Sequence, residues 1–282
     1  MAVVPGATPD LWFEAPGQPR LRYRDAGRGP AVLLVHGWPL DLTMYDEVAA
    51  ILSGSFRVVR WDRRGFGDSA GTPSLPGDAA DALRLLDRLG IDRITVLGTS
   101  QGCRVALAVA GAAPAHTEAL VLDGAPALDG LPAHDWQNET PVYEYRERLL
   151  ERGIEALRAE LARHPLLQVR APDASLHDRM AALLQRYTGA DLLALPSSPA
   201  PRTGAPAAPG ALVSLELPVL VLNGEHDTAQ RLRVGALLAA TIPGAVHSVV
   251  PGAGHLACWD DPVAYARLVH DFIAQVPGRA NR

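Results

Sequence analysis

Gly98-Thr99-Ser100-Gln101-Gly102 decides the reading of this chain. Before it runs the strand-forming stretch Arg93-Ile94-Thr95-Val96-Leu97, and after it the helix-forming stretch Arg104-Val105-Ala106-Leu107-Ala108-Val109-Ala110. A G-x-S-x-G quintet on so tight a strand-to-helix turn puts its serine in a strained, exposed position, with the hydroxyl at the top of a sheet. The flanking glycines are needed because a side chain at either place would collide with the neighbouring strand or helix. The five letters alone match by chance in many chains. The strand before and the helix after give them weight.

Working outward, Leu11-Trp12-Phe13-Glu14 and Leu21-Arg22-Tyr23-Arg24 read as a hairpin around Pro16-Gly17. Ala31-Val32-Leu33-Leu34-Val35 is a continuous apolar run, as in a strand buried on both faces of a parallel sheet. Arg57 to Trp61 is the next strand, and Asp81 to Leu89 a helix with Ala82, Leu85, Leu86 and Leu89 on one face. Strand follows helix again up to Ala119-Leu120-Val121-Leu122-Asp123. Such alternation predicts an α/β fold with a parallel sheet and helices on both faces.

The rhythm breaks at Ala125-Pro126 and returns at Pro218-Val219-Leu220-Val221-Leu222. Helical spacing fills the interval, over Val142 to Ala162 with a break expected at Gly153, and over Ser175 to Tyr187. Pro196 to Gly210 reads as a loop rich in Pro, Ala, Ser and Gly. Ala229 to Ala240 is a helix and Ala245 to Val250 the last strand. Asp261 then caps the final helix, with Pro262 at its first position. The expected organisation is a core domain of residues 1–125 and 213–282 with a helical insertion of residues 126–212.

Composition narrows the chemistry. The 282 residues carry a net charge of −5 and no basic run, which argues against nucleic acid as the main partner. There is no lysine, so a Schiff-base lysine and a phosphate-loop lysine are excluded. Cys103 and Cys258 form no C-x-x-C pair and cannot cage a metal by themselves. No metal and no cofactor is expected. The start, Met1 to Asp10, lacks the pattern of a signal peptide, and no stretch has the length of a membrane span. A cytoplasmic protein with free thiols is the expectation.

A serine hydroxyl is a poor nucleophile at neutral pH. It needs a base, a group that orients the base, and donors for the developing oxyanion. His255, in Pro251-Gly252-Ala253-Gly254-His255, follows the last strand, and Asp227, in Asn223-Gly224-Glu225-His226-Asp227, follows the strand before it. Both fall at the carboxyl edge of the sheet, where open α/β sheets place their sites. Asp123 also ends a strand on this edge and is a rival acid, and Glu225 is a weaker one. The expected oxyanion donors are the backbone N–H groups of Gln101, next to the nucleophile, and of Trp38, in His36-Gly37-Trp38-Pro39 after the third strand. His36 is expected to brace that loop. His226 beside Asp227 has no spaced partners for a metal.

With G-T-S-Q-G, H-G-W-P, N-G-E-H-D and G-A-G-H in this order, the chain resembles the α/β-hydrolase superfamily from about Leu11 to Val276. The order Ser100, Asp227, His255 is that superfamily's order. Asp62-Arg63-Arg64-Gly65-Phe66-Gly67-Asp68-Ser69 also resembles its turn after the fourth strand, expected here as scaffolding. The resemblance implies an eight-stranded, mostly parallel sheet with strand two antiparallel, and a helical cap in place of the insertion after the sixth strand. It is nearest to the esterases, enol-lactonases and cofactor-free haloperoxidases. The implied activity is hydrolysis of a small-molecule ester or lactone, with perhydrolysis or carbon–carbon bond hydrolysis as alternatives on the same triad. A fold retained for ligand binding without turnover is the reading from another class. Gln101 departs from the methionine or leucine of many relatives. Trp136, Tyr143, Tyr145 and Tyr187 are expected mainly to pack the insertion, and His134, His164 and His177 to lie on the surface.

Overall fold

The computed structural model describes residues 8–131, 136, 138–196 and 212–276. Its strands and helices follow the chain as β1 (Leu11–Phe13), β2 (Leu21–Ala26), β3 (Ala31–Val35), α1 (Asp46–Leu52), β4 (Arg57–Trp61), α2 (Leu75–Arg88), β5 (Ile94–Thr99), α3 (Gly102–Ala112) and β6 (Thr117–Asp123). After β6 come α4 (Val142–Leu161), α5 (Ala174–Arg186) and α6 (Ala190–Leu193). The sheet resumes with β7 (Val219–Gly224), α7 (Ala229–Thr241) and β8 (Val246–Val250), before α8 (Ala257–Asp260) and α9 (Pro262–Ala274).

The eight strands form one sheet in the order β1-β2-β4-β3-β5-β6-β7-β8. β2 runs antiparallel to both β1 and β4, and β3 to β8 are parallel. Successive residues alternate between faces, as pleating requires. Val32 and Leu34 join one apolar cluster with α1 and α9, while Leu33 and Val35 join another with α2 and α3. β3, β5 and β7 are buried along their whole length. This places the carboxyl ends of the parallel strands side by side.

Several boundaries differ from the sequence expectation for local reasons. α2 starts at Leu75, because the Ser74 side chain accepts the Gly77 N–H and Pro76 suits the first turn. The apolar face marks only the part of that helix that packs. In α4, Gly153 has φ 80° and ψ 174°, a non-helical conformation that breaks the helix where expected. Asp261 accepts the Ala264 N–H at the start of α9, as expected of its cap. Most of the Pro196–Gly210 loop, and His134, lie outside the described residues.

Candidate active site

Ser100 stands between β5 and α3 with φ 53°, the one non-glycine residue with positive φ among the described residues. That conformation is costly for a residue with a Cβ and persists only where its surroundings enforce it. They do so here. A Cβ on Gly98 would come within 2.3 Å of the Gly102 carbonyl oxygen, and one on Gly102 within 2.3 Å of the Val35 carbonyl oxygen. The Ser100 N–H donates to the Asp123 carbonyl at 2.7 Å, which ties the turn to β6.

His255 and Asp227 meet across the loops that follow β8 and β7. His255 Nδ1 lies 3.0 Å from both carboxylate oxygens of Asp227, and both side chains are buried. The Thr228 N–H donates to Asp227 at 2.7 Å, while Thr228 itself caps α7. Asp227 is therefore released from the capping duty its position before a helix would suggest. Burial pushes the Asp227 carboxyl up. The facing His255 ring, its hydrogen bond and the Thr228 N–H outweigh burial and hold the carboxyl below its usual range. Gly124, at φ 53°, makes room for the imidazole. A Cβ there would lie 2.8 Å from His255 Cε1.

The rival acids are engaged elsewhere. Asp123 accepts from Thr99 Oγ1 at 2.8 Å and from Tyr265 at 3.1 Å, and complete burial pushes its carboxyl up to about 6. Glu225 is exposed and accepts the Gly252 N–H. His36 Nδ1 donates to the Gly37 carbonyl and Nε2 accepts the Arg63 N–H, both at 2.9 Å. Burial, and then the Arg63 charge, lower His36 to about 3, so its ring is a neutral clasp between two loops.

Ser100, His255, Trp38 and Gln101 line one cavity of about 90 Å³, together with Arg104, Arg231, His164, Leu166 and Leu167 among others. The backbone N–H groups of Trp38 and Gln101 donate to no other group among the described residues. The Trp38 indole donates to Asp191 Oδ2 at 2.7 Å, and Tyr187 donates to the other oxygen of the same carboxylate at 2.7 Å. Tyr145 stacks on Trp38 at 5.7 Å between ring centroids. Tyr145 and Tyr187 thus pack the insertion against the Trp38 loop, whereas Trp136 packs on the other side of the sheet.

Sequence reasoning missed several groups here. His164 was expected on the surface, yet it is half-buried and lines the cavity, with Nε2 on the Glu139 carbonyl. A lone histidine ahead of Pro165 offers no local sign of this. Gln101 turns its Oε1 to Arg63 Nη2 at 2.8 Å, so its amide N–H₂ is left for the cavity. Arg231 lies within 3.5 Å of Ser100 Oγ through Nη1. Among the described residues Ser100 Oγ makes no hydrogen bond with His255. Such bonds are often long in unliganded sites and tighten with substrate.

Residues 30–262 match the family model for the alpha/beta hydrolase fold. The chain belongs to the alpha/beta hydrolase family. This alpha/beta hydrolase is 28% identical to a 2-hydroxymuconate semialdehyde hydrolase of Pseudomonas sp. strain CF600 over 284 residues, covering 93% of each chain. It resembles the malate-bound structure of a thermophilic esterase from Thermogutta terrifontis, with a TM-score of 0.73, 25% identity and coverage of 95% of this chain and 99% of that one. It also shares its fold with the enol-lactonase of Burkholderia xenovorans LB400, at a TM-score of 0.73, 24% identity and coverage of 94% and 100%. These relatives are hydrolases. Among the described residues no helix of this hydrolase is long and apolar enough to cross a membrane, and no cluster of three metal-ligating side chains occurs. Cys103 and Cys258 are buried, unpaired thiols.

Proposed function

We propose that this alpha/beta hydrolase cleaves a carboxylic ester or lactone of a small molecule through an acyl-enzyme on Ser100. The observation that carries the reading is the strained Ser100 opening onto the same cavity as a buried His255 held by Asp227. His255 Nε2 takes the hydroxyl proton as Oγ attacks the carbonyl carbon. The tetrahedral oxyanion accepts from the Trp38 and Gln101 N–H groups. His255 then returns the proton to the departing alkoxide, and the C–O bond breaks. Water, deprotonated by His255, attacks the acyl carbon, and the acid leaves as Ser100 regains its proton. Residues 126–212 act as a cap over a core of residues 1–125 and 213–282, and the cap's Leu166 and Leu167 close one wall of the cavity. No metal or organic cofactor is needed.

A second reading, carbon–carbon bond hydrolysis on the same residues, is favoured by the likeness to the semialdehyde hydrolase across 93% of the chain. The deciding experiment is intact-mass spectrometry after a fluorophosphonate probe. A single adduct mapped to Ser100, lost in Ser100→Ala, is expected. A folded, substrate-free protein that takes no adduct would overturn the nucleophile. Turnover of p-nitrophenyl esters or lactones, rather than of vinylogous diketone acids, then separates the two readings.

A further inference from the structure

Among the described residues the side chain hydrogen-bonded to Ser100 Oγ is a buried arginine. Arg231 sits in the first turn of α7, four residues after Asp227, and is 2% exposed. Arginine is almost never so buried without partners. Its Nε donates to Glu139 Oε2 at 2.7 Å, and its Nη1 to the Gly124 carbonyl at 2.9 Å and to Ser100 Oγ at 3.5 Å. The two Nη2 N–H groups have no acceptor among the described residues, and the guanidinium lines the cavity of Ser100.

The rest of that cavity wall has a definite electrostatic sense. Arg104 also lines it, with Nη2 on the Ala127 carbonyl at 2.7 Å. No aspartate or glutamate is among the described lining residues. Glu139 meets Arg231 from behind, at Nε, and also accepts from Thr228 Oγ1. Two guanidinium groups therefore border a space whose other described walls are part polar and part apolar, with Glu139 outside it. A merely structural Arg231–Glu139 bridge would not require the other edge of the guanidinium to face the nucleophile.

We infer that Arg231 anchors a carboxylate carried by the substrate, beside the carbonyl that Ser100 attacks. With Nε on Glu139 and both Nη1 N–H groups engaged, the Nη2 N–H groups are the ones left to donate charge-assisted hydrogen bonds to a carboxylate. The distance of 3.5 Å from Nη1 to Oγ sets the reach. It places the carboxylate about two or three bonds from the reacting carbonyl, given ordinary charge-assisted hydrogen-bond lengths. The substrate class is thus a short half-ester of a dicarboxylic acid, or a small lactone bearing a carboxylate. This assignment rests on the reading of Ser100 as nucleophile for the site of attack, but the anion site itself can be measured without turnover.

The test compares monomethyl succinate with methyl butyrate, its neutral counterpart, by calorimetric titration into Ser100→Ala protein. The half-ester is expected to bind about tenfold or more tightly. Arg231→Gln in the same background is expected to abolish that difference, and Arg231→Lys to keep part of it. Equal affinity of Ser100→Ala for the two esters overturns the anion site, and so does a preference that survives Arg231→Gln in folded protein. The first comparison needs no change at Arg231, so it decides even if the glutamine variant does not fold. Wild-type turnover of methyl butyrate without any half-ester preference would leave the nucleophile standing and remove the anion site. Preferential half-ester binding with no hydrolysis of either ester would do the reverse.

Discussion

Two aspartates stand at the carboxyl ends of adjacent parallel strands, Asp123 as the last residue of β6 and Asp227 in the loop after β7, and their surroundings tell them apart. Asp227 faces His255 Nδ1 with both oxygens and is held in its charged form. Asp123 is fully buried, and among the described residues its carboxylate accepts only from the Thr99 and Tyr265 hydroxyls. Asp227→Asn is expected to reduce kcat by about 10⁴, because an amide cannot hold the imidazole in the tautomer that accepts the serine proton. Asp123→Asn keeps an acceptor for Thr99 and Tyr265, and its kcat is expected to stay within about tenfold of wild type, as befits a group outside the proton relay. Steady-state kinetics on a p-nitrophenyl ester checks both, and a crippled Asp123→Asn beside an active Asp227→Asn would reverse the assignment. The sequence left both acids open because each follows a strand with the same look. Strand order brings them together, and only the loop path after β7 carries one of them onto His255.

Whole elements show the same split between what the pattern reveals and what it hides. β3, β5 and the helix after Ser100 were legible because each is decided by local chemistry: continuous apolar runs and glycines where backbones touch. The contact between α6 and the loop after β3 was not legible. Asp191 and Trp38 are 153 residues apart, and neither has a periodic signature. Yet the carboxylate accepts the indole N–H of the residue proposed to donate its backbone N–H to the oxyanion. Burial raises Asp191 in spite of its two donors. The indole N–H can only donate, whereas the Tyr187 hydroxyl can also accept. Asp191→Leu strands both groups and is expected to cost about 1–3 kcal/mol for each polar group left unpaired. With Trp38 no longer fixed, kcat is expected to fall about tenfold or more while KM changes less, because an oxyanion donor acts chiefly in the transition state. Asp191→Asn is expected to restore most of the loss, with its carbonyl on the indole and its amide on the tyrosine oxygen. Urea unfolding and steady-state kinetics on the two variants separate this role from plain packing, since a loss of packing alone would move stability without the kcat-selective change.

At the scale of the whole molecule, the sheet edge that collects the site also collects buried charge, and folding must carry its cost. Asp123 is an example whose sign can be worked out. Its carboxyl is raised from the ordinary 3.8 to about 6 by burial, against the hydrogen bonds from Thr99 and Tyr265 and the nearby His255 charge. The folded state therefore binds the proton more tightly than the unfolded chain. Stability from this group is fully present below about pH 4 and is lost as pH rises through about 6. A difference of about 2 pH units corresponds to roughly 3 kcal/mol at most. Other carboxyls, Asp227 among them, are lowered and act in the opposite direction, so the overall stability curve mixes both signs. The comparison with Asp123→Asn removes the mixture, because the variant shares every other group. In urea unfolding at pH 4 and pH 7.5, the variant is expected to gain up to about 3 kcal/mol relative to wild type at the higher pH, with the gain appearing between pH 4 and 7. A stability difference that stays flat across this range would mean that Asp123 is charged in the fold at all these pH values. The buried charge would then be a standing cost of the site rather than one relieved by a proton.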